Sequence, residues 1–514
     1  MKNCYGVIFA MIFALFALSS ALNFARVITP MEIPHGIIPL KDGNYLIHGV
    51  TPITGLVGRA PIFIKVNKYD SILWVKTVKR IGIDSIYFPA CPTTDSGFVV
   101  VLTEIFSNLQ ELVVLKFNSD GVIQWITDIS LPDTIIPEYS SIDQTSDGGY
   151  IISVSLIHLF SSYCGIIKLN STGNLLWVKK LVTSGVFKFN KIIAEPGNKF
   201  TLAAHLISSS IILTQFSPSG LILRSRQYNL PWSYPFLRDF RRLADGGYIL
   251  TGWFMDVSGR RIHIVKLDST LNIEWSRKIG FSTYNFYGNQ IIPTHDGGFA
   301  VAGITETVGD KHFLVLKLGT MGTIQWVGKI HDSHGIANGI IQKADSSIIA
   351  VGPTVRYAPT WVAMLFARFE KDGENCLAAD SLIPDSTVTF NASPITIRIE
   401  SLIVRTIPIS LSDSEITYSD STLCSTGSGR ISENTIKIKN THHIYPNPFN
   451  NACVIYAPNA ATIEIFDISG KRIAQYRRPN VLWKPDEKLG SGVYIVRIRL
   501  RSGKTLSYRA FFIK

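Results

Sequence analysis

Few residues in this 514-residue chain have the type and spacing to do chemistry. His331 and His334 form an isolated H-x-x-H. Alone that spacing is a weak signal, and an exposed pair in a loop is the simpler account. Carboxylates recur in Asp-Gly turns, but each turn offers one where a calcium site needs six or more oxygens. There is no G-x-S-x-G nucleophile elbow, no H-E-x-x-H and no phosphate loop. The sequence therefore assigns no catalytic residue, no metal and no cofactor. What remains is a pair of aromatic and arginine-rich stretches. "NLPWSYPFLRDFRRL" carries Trp232, Tyr234, Arg241 and Arg242, and "GWFMDVSGRR" carries Trp253, Arg260 and Arg261. Aromatic faces beside guanidinium groups can hold sugar rings or acidic glycans. The competing account is that the aromatics are buried and the arginines cap them.

The elements that must position these residues are repeats. A turn recurs as "KDGNYLI", "TDSGFVV", "SDGGYII", "EPGNKFTL", "ADGGYIL", "HDGGFAV" and "ADSSIIA". Each is followed by a second signature of the form "VLKFNSDGVIQW", whose last position falls at Trp74, Trp125, Trp177, Arg224, Trp275, Trp326 and Leu377. Successive steps are 51, 52, 47, 51, 51 and 51 residues, and even periods of this length point to propeller blades or similar arrays. One period reads as four short strands with glycine-rich turns, where a positive φ costs least. Runs rich in Val, Ile, Thr, Tyr and Phe favour strands throughout.

The fold class expected is all-β: a seven-bladed β-propeller over residues 22–377, then a small strand-rich connecting segment and linker, 378–440, and a C-terminal immunoglobulin-like β-sandwich, 441–514. The repeated turns fall on one rim and the variable links on the other, the layout of a scaffold face and a binding face. The recurring Trp is expected to pack between blades. Either "NFARVITP" near the N-terminus or "CLAAD" after Cys376 could complete the seventh blade, with the former slightly favoured.

The blades resemble a bacterial propeller family whose repeats carry Asp-Gly-Gly-aromatic followed by Lys-Leu-Asp, Gly and Trp. "NSDGVIQW" is also similar to the Asp-box of sialidase propellers, though three residues separate Gly121 from Trp125. The Trp rhythm resembles that of quinone-dependent dehydrogenase propellers, whose eight blades and cofactor site have no counterpart here.

The first residues, Lys2 and the apolar run "YGVIFAMIFALFAL" ending in "SSA", have the pattern of a secretory signal peptide, 1–21. No later segment has the length of a membrane span. Five cysteines then remain, an odd number, and Cys376 with Cys424 could be bridged. Of the formal net charge of +12, +8 lies between His442 and Lys514, which suits an acidic polysaccharide or translocon contact better than nucleic acid.

"YPNPFN" from Tyr445, "IEIFDISGKRI" and "SGVYIVRI" resemble, in that order, the type A C-terminal sorting domain of bacterial type IX (Por) secretion cargo. The resemblance implies recognition through Pro446, Asn447, Pro448, Gly470, Lys471, Gly492 and Tyr494. It implies the type IX translocon as partner, passage across the outer membrane, and a secreted or cell-surface location. The function expected is a non-enzymatic binding or scaffold protein that meets surface polysaccharide or another extracellular protein. The alternative is a propeller hydrolase or lyase acting on polysaccharide, which would gather two or more carboxylates at the mouth of the central channel.

Overall fold

A computed structural model describes residues 24–512 apart from short stretches, chiefly loops, that include 53–58, 79–87, 230–234, 331–334, 426–442 and 446–452. The expected signal peptide lies outside the described residues. The chain forms two compact units, residues 1–434 and 435–514.

In the first unit seven four-stranded antiparallel sheets follow the repeat. Blade three is typical, with strands Ile135–Gln144, Tyr150–His158, Ser161–Leu169 and Leu175–Val182 paired in sequence order. Alternation along its strands is imperfect because both faces are buried. In blade two, Val99 and Val101 join a core shared with blade three, whereas Val100 and Leu102 join a core shared with blade one. Seven such cores exist, one for each junction between neighbouring blades, including blade seven with blade one. The ring is therefore closed.

Closure uses the N-terminal segment. Phe24–Thr29 pairs antiparallel with Ala363–Phe369 as the fourth strand of blade seven. Phe24 stands opposite Arg368, the register position that Trp177 holds opposite Lys168 in blade three. Leu377, aligned by sequence with the repeating Trp, is thus not its counterpart. The aromatic residue of blade seven comes from the other end of the chain.

The segment after Cys376 does something the repeat pattern did not suggest. It supplies a fifth, outermost strand to every blade, visiting them in reverse order. Ala378–Ala379 joins blade six, Asp385–Thr387 blade five, Asn391–Pro394 blade four and Arg398–Ser401 blade three. Arg405–Ile407 then joins blade two, Asp413–Glu415 blade one and Ser419–Ser425 blade seven, against Phe24–Thr29. Rather than a sheet of its own, this stretch is a belt around the ring. Its physical rationale is the outer edge of each blade, a row of unpaired backbone groups that would otherwise invite another strand.

The second unit packs a three-stranded sheet (His443–Tyr445, Cys453–Tyr456, Val481–Trp483) and a four-stranded one (Arg472–Tyr476, Ala460–Phe466, Gly492–Leu500, Thr505–Phe512). Ile455, Ile463, Ile465, Trp483, Val496 and Ile498 form its core, giving the immunoglobulin-like sandwich. Cys91, Cys164 and Cys453 are buried free thiols. The side chains of Cys376 and Cys424 lie outside the described residues, and with them the possible bridge.

Candidate functional site

Three polar regions stand out on the propeller. The first is the rim of repeated turns. In six blades the turn Asp accepts a charge-assisted hydrogen bond from a largely buried cation on the third strand. These pairs are Asp42 with Lys65 at 2.7 Å, Asp95 with Lys116 at 2.8 Å and Asp147 with Lys168 at 3.0 Å. Asp245 with Lys266 at 3.1 Å, Asp296 with Lys317 at 2.7 Å and Asp345 with Arg368 at 2.8 Å complete the set. Partial burial works against the charge of Asp296, yet hydrogen bonds from Lys317, Thr294 and the Gly298 N–H prevail and hold its carboxyl at about 2. The other five turn carboxyls are lowered in the same way. These pairs lock each inner hairpin to its third strand, so their carboxylates are committed to structure.

The same rim carries the repeating Trp. Trp74, Trp125, Trp177, Trp275 and Trp326 lie on the turn glycine of the next blade. A Cβ at Gly121 would come within 2.9 Å of the Trp74 ring, and one at Gly173 within 2.6 Å of Trp125. The expected packing role holds at five of the seven junctions.

The second region is the set of inner strands. An innermost strand exposes one edge of backbone donors, and side chains of the preceding blade reach across to satisfy them. Asp143 accepts from the Ala194 N–H at 2.8 Å, Ser141 from Ile192 at 3.1 Å, Asp239 from Ile291 at 3.1 Å and Gln290 from Ile340 at 2.6 Å. Asp143 also accepts from the Cys91 thiol at 3.3 Å. Asp239 accepts from Arg241 at 3.0 Å and lies 3.5 Å from the Lys191 ammonium. Burial pushes the Asp143 carboxyl and the Cys91 thiol up and the Lys191 ammonium down. Sequence reasoning missed these residues because no repeated signature marks them.

The third region holds part of the expected binding rim. Trp253 is 9% exposed. Its ring stacks on Phe236 at 4.0 Å between centroids, and the Arg260 guanidinium sits 5.2 Å from its centroid. Arg260 donates to the Tyr287 hydroxyl at 2.8 Å, which in turn donates to Glu306 at 2.9 Å. Arg261 is buried and donates to the carbonyls of Arg260, Tyr284 and Ser258. Trp253 therefore offers no open face to a sugar ring, since Phe236 and Arg260 occupy its surroundings. Nor do the candidates form one site. Arg241 and Arg242 close the inner strand of blade five beside the repeated turn, with Arg242 opposite Tyr248 in the register, while Phe236 is opposite Trp253 and Met255 opposite Arg260. Arg241 and Arg242 thus lie toward the turn rim, and Trp253, Arg260 and Arg261 toward the variable rim. Trp232 and Tyr234 lie outside the described residues, as do His331 and His334. Among the described residues no cluster of three or more metal-ligating side chains occurs.

In the C-terminal unit, Gly470 (φ 85°) closes a turn in which Asp467 accepts from the N–H groups of Ser469 and Lys471. Gly492 opens a central strand, and buried Tyr494 donates to the Gly490 carbonyl at 2.7 Å with its ring 5.2 Å from Trp483. Pro446, Asn447 and Pro448 lie outside the described residues.

Comparison with known proteins agrees with this division. Residues 443–513 match the secretion system C-terminal sorting domain. No curated protein matches the chain. Among solved structures, Drosophila Semaphorin 2a is 7% identical, with a TM-score of 0.38 over 96% of this chain and 97% of that one. A protein of unknown function from Dyadobacter fermentans is 8% identical, with a TM-score of 0.41 over 68% and 95%. The WD40 domain of SCAP from fission yeast is 9% identical, with a TM-score of 0.33 over 72% and 94%. All three are distant, and the propeller assignment rests on the strand pairing and the seven junction cores. The chain carries a type IX secretion sorting domain behind a seven-bladed propeller.

Proposed function

We propose that this protein is exported by type IX secretion and acts outside the cell as a non-catalytic binding scaffold, meeting its partner with the variable rim of the propeller. The observation that carries this reading is the state of the carboxylates. Six turn aspartates are paired within their own blades. Among the described residues the inner-strand carboxylates Asp143 and Asp239 bridge neighbouring blades through backbone N–H groups. A hydrolase would need an acid and a base free to turn toward substrate.

On the variable rim, the hairpin of blade five presents Met255 and Val257 to solvent at 42% and 108% exposure. Beside it stand half-buried Arg260 and Tyr287. Apolar tips flanked by Arg and Tyr are the composition of an interaction hot spot. The test is binding of the purified full chain to extracellular polysaccharides and to surface proteins, with a turnover assay on the same polysaccharides. Saturable binding weakened by Val257→Asp or Arg260→Ala, without product, supports the reading. Product formation that is lost in Asp143→Asn or Asp239→Asn overturns it in favour of a polysaccharide hydrolase or lyase.

A further inference from the structure

Blade four breaks the repeat at every position that matters to the turn rim. Gly197 stands where the other blades carry the turn Asp, and Gln215 stands where they carry Lys or Arg. In the register, Arg224 is opposite Gln215 as Trp177 is opposite Lys168. Across the junction, Leu271 (φ 68°) takes the place of the turn glycine and is fully buried. Leu271 occupies part of the space that a Trp at 224 would need, so the two departures match.

A third departure completes the pattern. At two other junctions a glutamine at the end of the inner strand accepts the backbone N–H of the preceding blade's turn. Gln144 accepts from Thr94, and Gln342 from His295, both at 2.8 Å. At the junction of blades four and five the donor position is Pro196, which has no N–H, and the acceptor position is Arg242, which cannot accept. The clamp is lost from both sides.

The junction opens instead into a groove of about 250 Å³, lined by Glu195, Lys199, Gln215, Arg224, Arg242 and Tyr248 among others. Glu195 is already engaged by the hydroxyls of Thr201 and Tyr248. Burial and this contact push the Tyr248 phenol up to about 12. The Arg242 Nε is buried without a hydrogen-bond partner. Among the described residues Lys199 and Arg224 have no ion pair either, in contrast to the third-strand cations of the six regular blades. Three cations thus converge on one groove whose single carboxylate is taken.

We infer that the groove between blades four and five binds an anionic sugar unit, a carboxylate or sulfate on a monosaccharide-sized group, with Arg242 and Arg224 as the anion's donors. Guanidinium groups pair with such oxyanions through two parallel N–H bonds. Gln215 gives its amide N–H groups to the Tyr248 hydroxyl and the Ser269 carbonyl, which leaves its side-chain carbonyl to accept from a ring hydroxyl, and exposed Leu223 offers an apolar edge. The site lies on the rim of repeated turns and does not depend on what the opposite rim binds.

The test is calorimetric titration of the full chain with trigalacturonate, with a sulfated disaccharide and with neutral maltotriose, in wild type and in Arg242→Gln, Arg224→Gln and Arg238→Gln. Binding of one charged probe, absent for maltotriose and weakened by salt, is expected. Each of the first two substitutions should weaken it about tenfold or more, the effect of losing one charge-assisted hydrogen bond, while Arg238→Gln, at an exposed position of the same inner strand as Arg242 but outside the groove, leaves it unchanged. Which probe binds distinguishes carboxylate from sulfate. Unchanged thermal melting of Arg242→Gln shows that the loss is local. Failure of both charged probes to bind, equal binding of maltotriose, or full retention in Arg242→Gln overturns the inference.

Discussion

Blades three and four occupy equivalent places in one ring, yet they are held by different means. Blade three uses the complete repeat: Asp147 paired with Lys168, Trp177 against Gly220, and Gln144 clamping the preceding turn. Blade four keeps the strands, lacks the ion pair and the Trp, and clamps the preceding turn with Asn198, which accepts from the Asp147 N–H at 2.8 Å, in place of a glutamine. What both retain is the double-sided core, with Ile151 and Ile166 meeting Leu202 and Ile212 on one side of blade four, and Ala203 and Leu213 meeting Leu250 and Val265 on the other. The difference teaches that the repeat's own polar links are replaceable: at its junction with blade five, blade four uses Tyr248 on Glu195, Gln215 on the Ser269 carbonyl and Tyr228 on the Leu271 carbonyl instead. The polar repeat is an addition that six blades carry and one has been free to exchange.

Acid should expose the largest difference. A carboxyl lowered in the folded state contributes stability that is fully present above its unfolded value, near pH 4, and is lost as pH falls through the folded value. Six turn carboxyls behave so, with Asp296 at about 2. Chemical unfolding followed from pH 5 to pH 2 should show a steep loss of stability, shallower in Asp296→Asn and shallower still when more turns are changed. Blade four has no such carboxyl to contribute.

Trp177→Ala should cost about 2–3 kcal/mol, less than for a fully buried Trp because Trp177 is half-buried. Arg224→Ala at the matching position should change stability by about 0.5 kcal/mol or less. Urea titration of both variants checks the pair, and equal costs would erase the contrast drawn here. The last effect has the opposite sign. Pro196→Ser with Arg242→Gln restores donor and acceptor, and a regained clamp should stabilise by about 0.5–1.5 kcal/mol. A double-mutant cycle reads it, and the same variant should lose the anion site.

Much of this was legible in the sequence. The turn signatures and the steps of 51 residues fixed the blade count, because each blade repeats the same solution to the same local problem. The sorting domain was legible because its motifs are short, ordered and distinctive. The belt was not. Its strands begin at residues 378, 385, 391, 398, 405, 413 and 419, a rhythm too short to stand out. Each strand pairs along one edge only, so its sequence needs no signature beyond compatibility with extension. The N-terminal segment slightly favoured to complete blade seven does so, but the end of the repeat signature fell on Leu377 because a linear alignment runs on past Cys376, whereas Phe24 holds that register position. The expected binding rim was split because proximity in sequence placed Arg242 near Trp253, whereas the hairpin carries them toward opposite ends of the blade.

The belt also determines how the molecule meets a mechanical load. The sorting domain follows Ser425, so tension applied through it acts first on the strand at blade seven and then on each shorter strand in turn. Those ladders open one at a time, starting beside the N-terminal strand, while the four-stranded blades stay closed. Residues 378–425 could let out on the order of 160 Å of chain in this way. A protein held at a cell surface by its C-terminal end would carry its own extensible tether, wound around the body it protects.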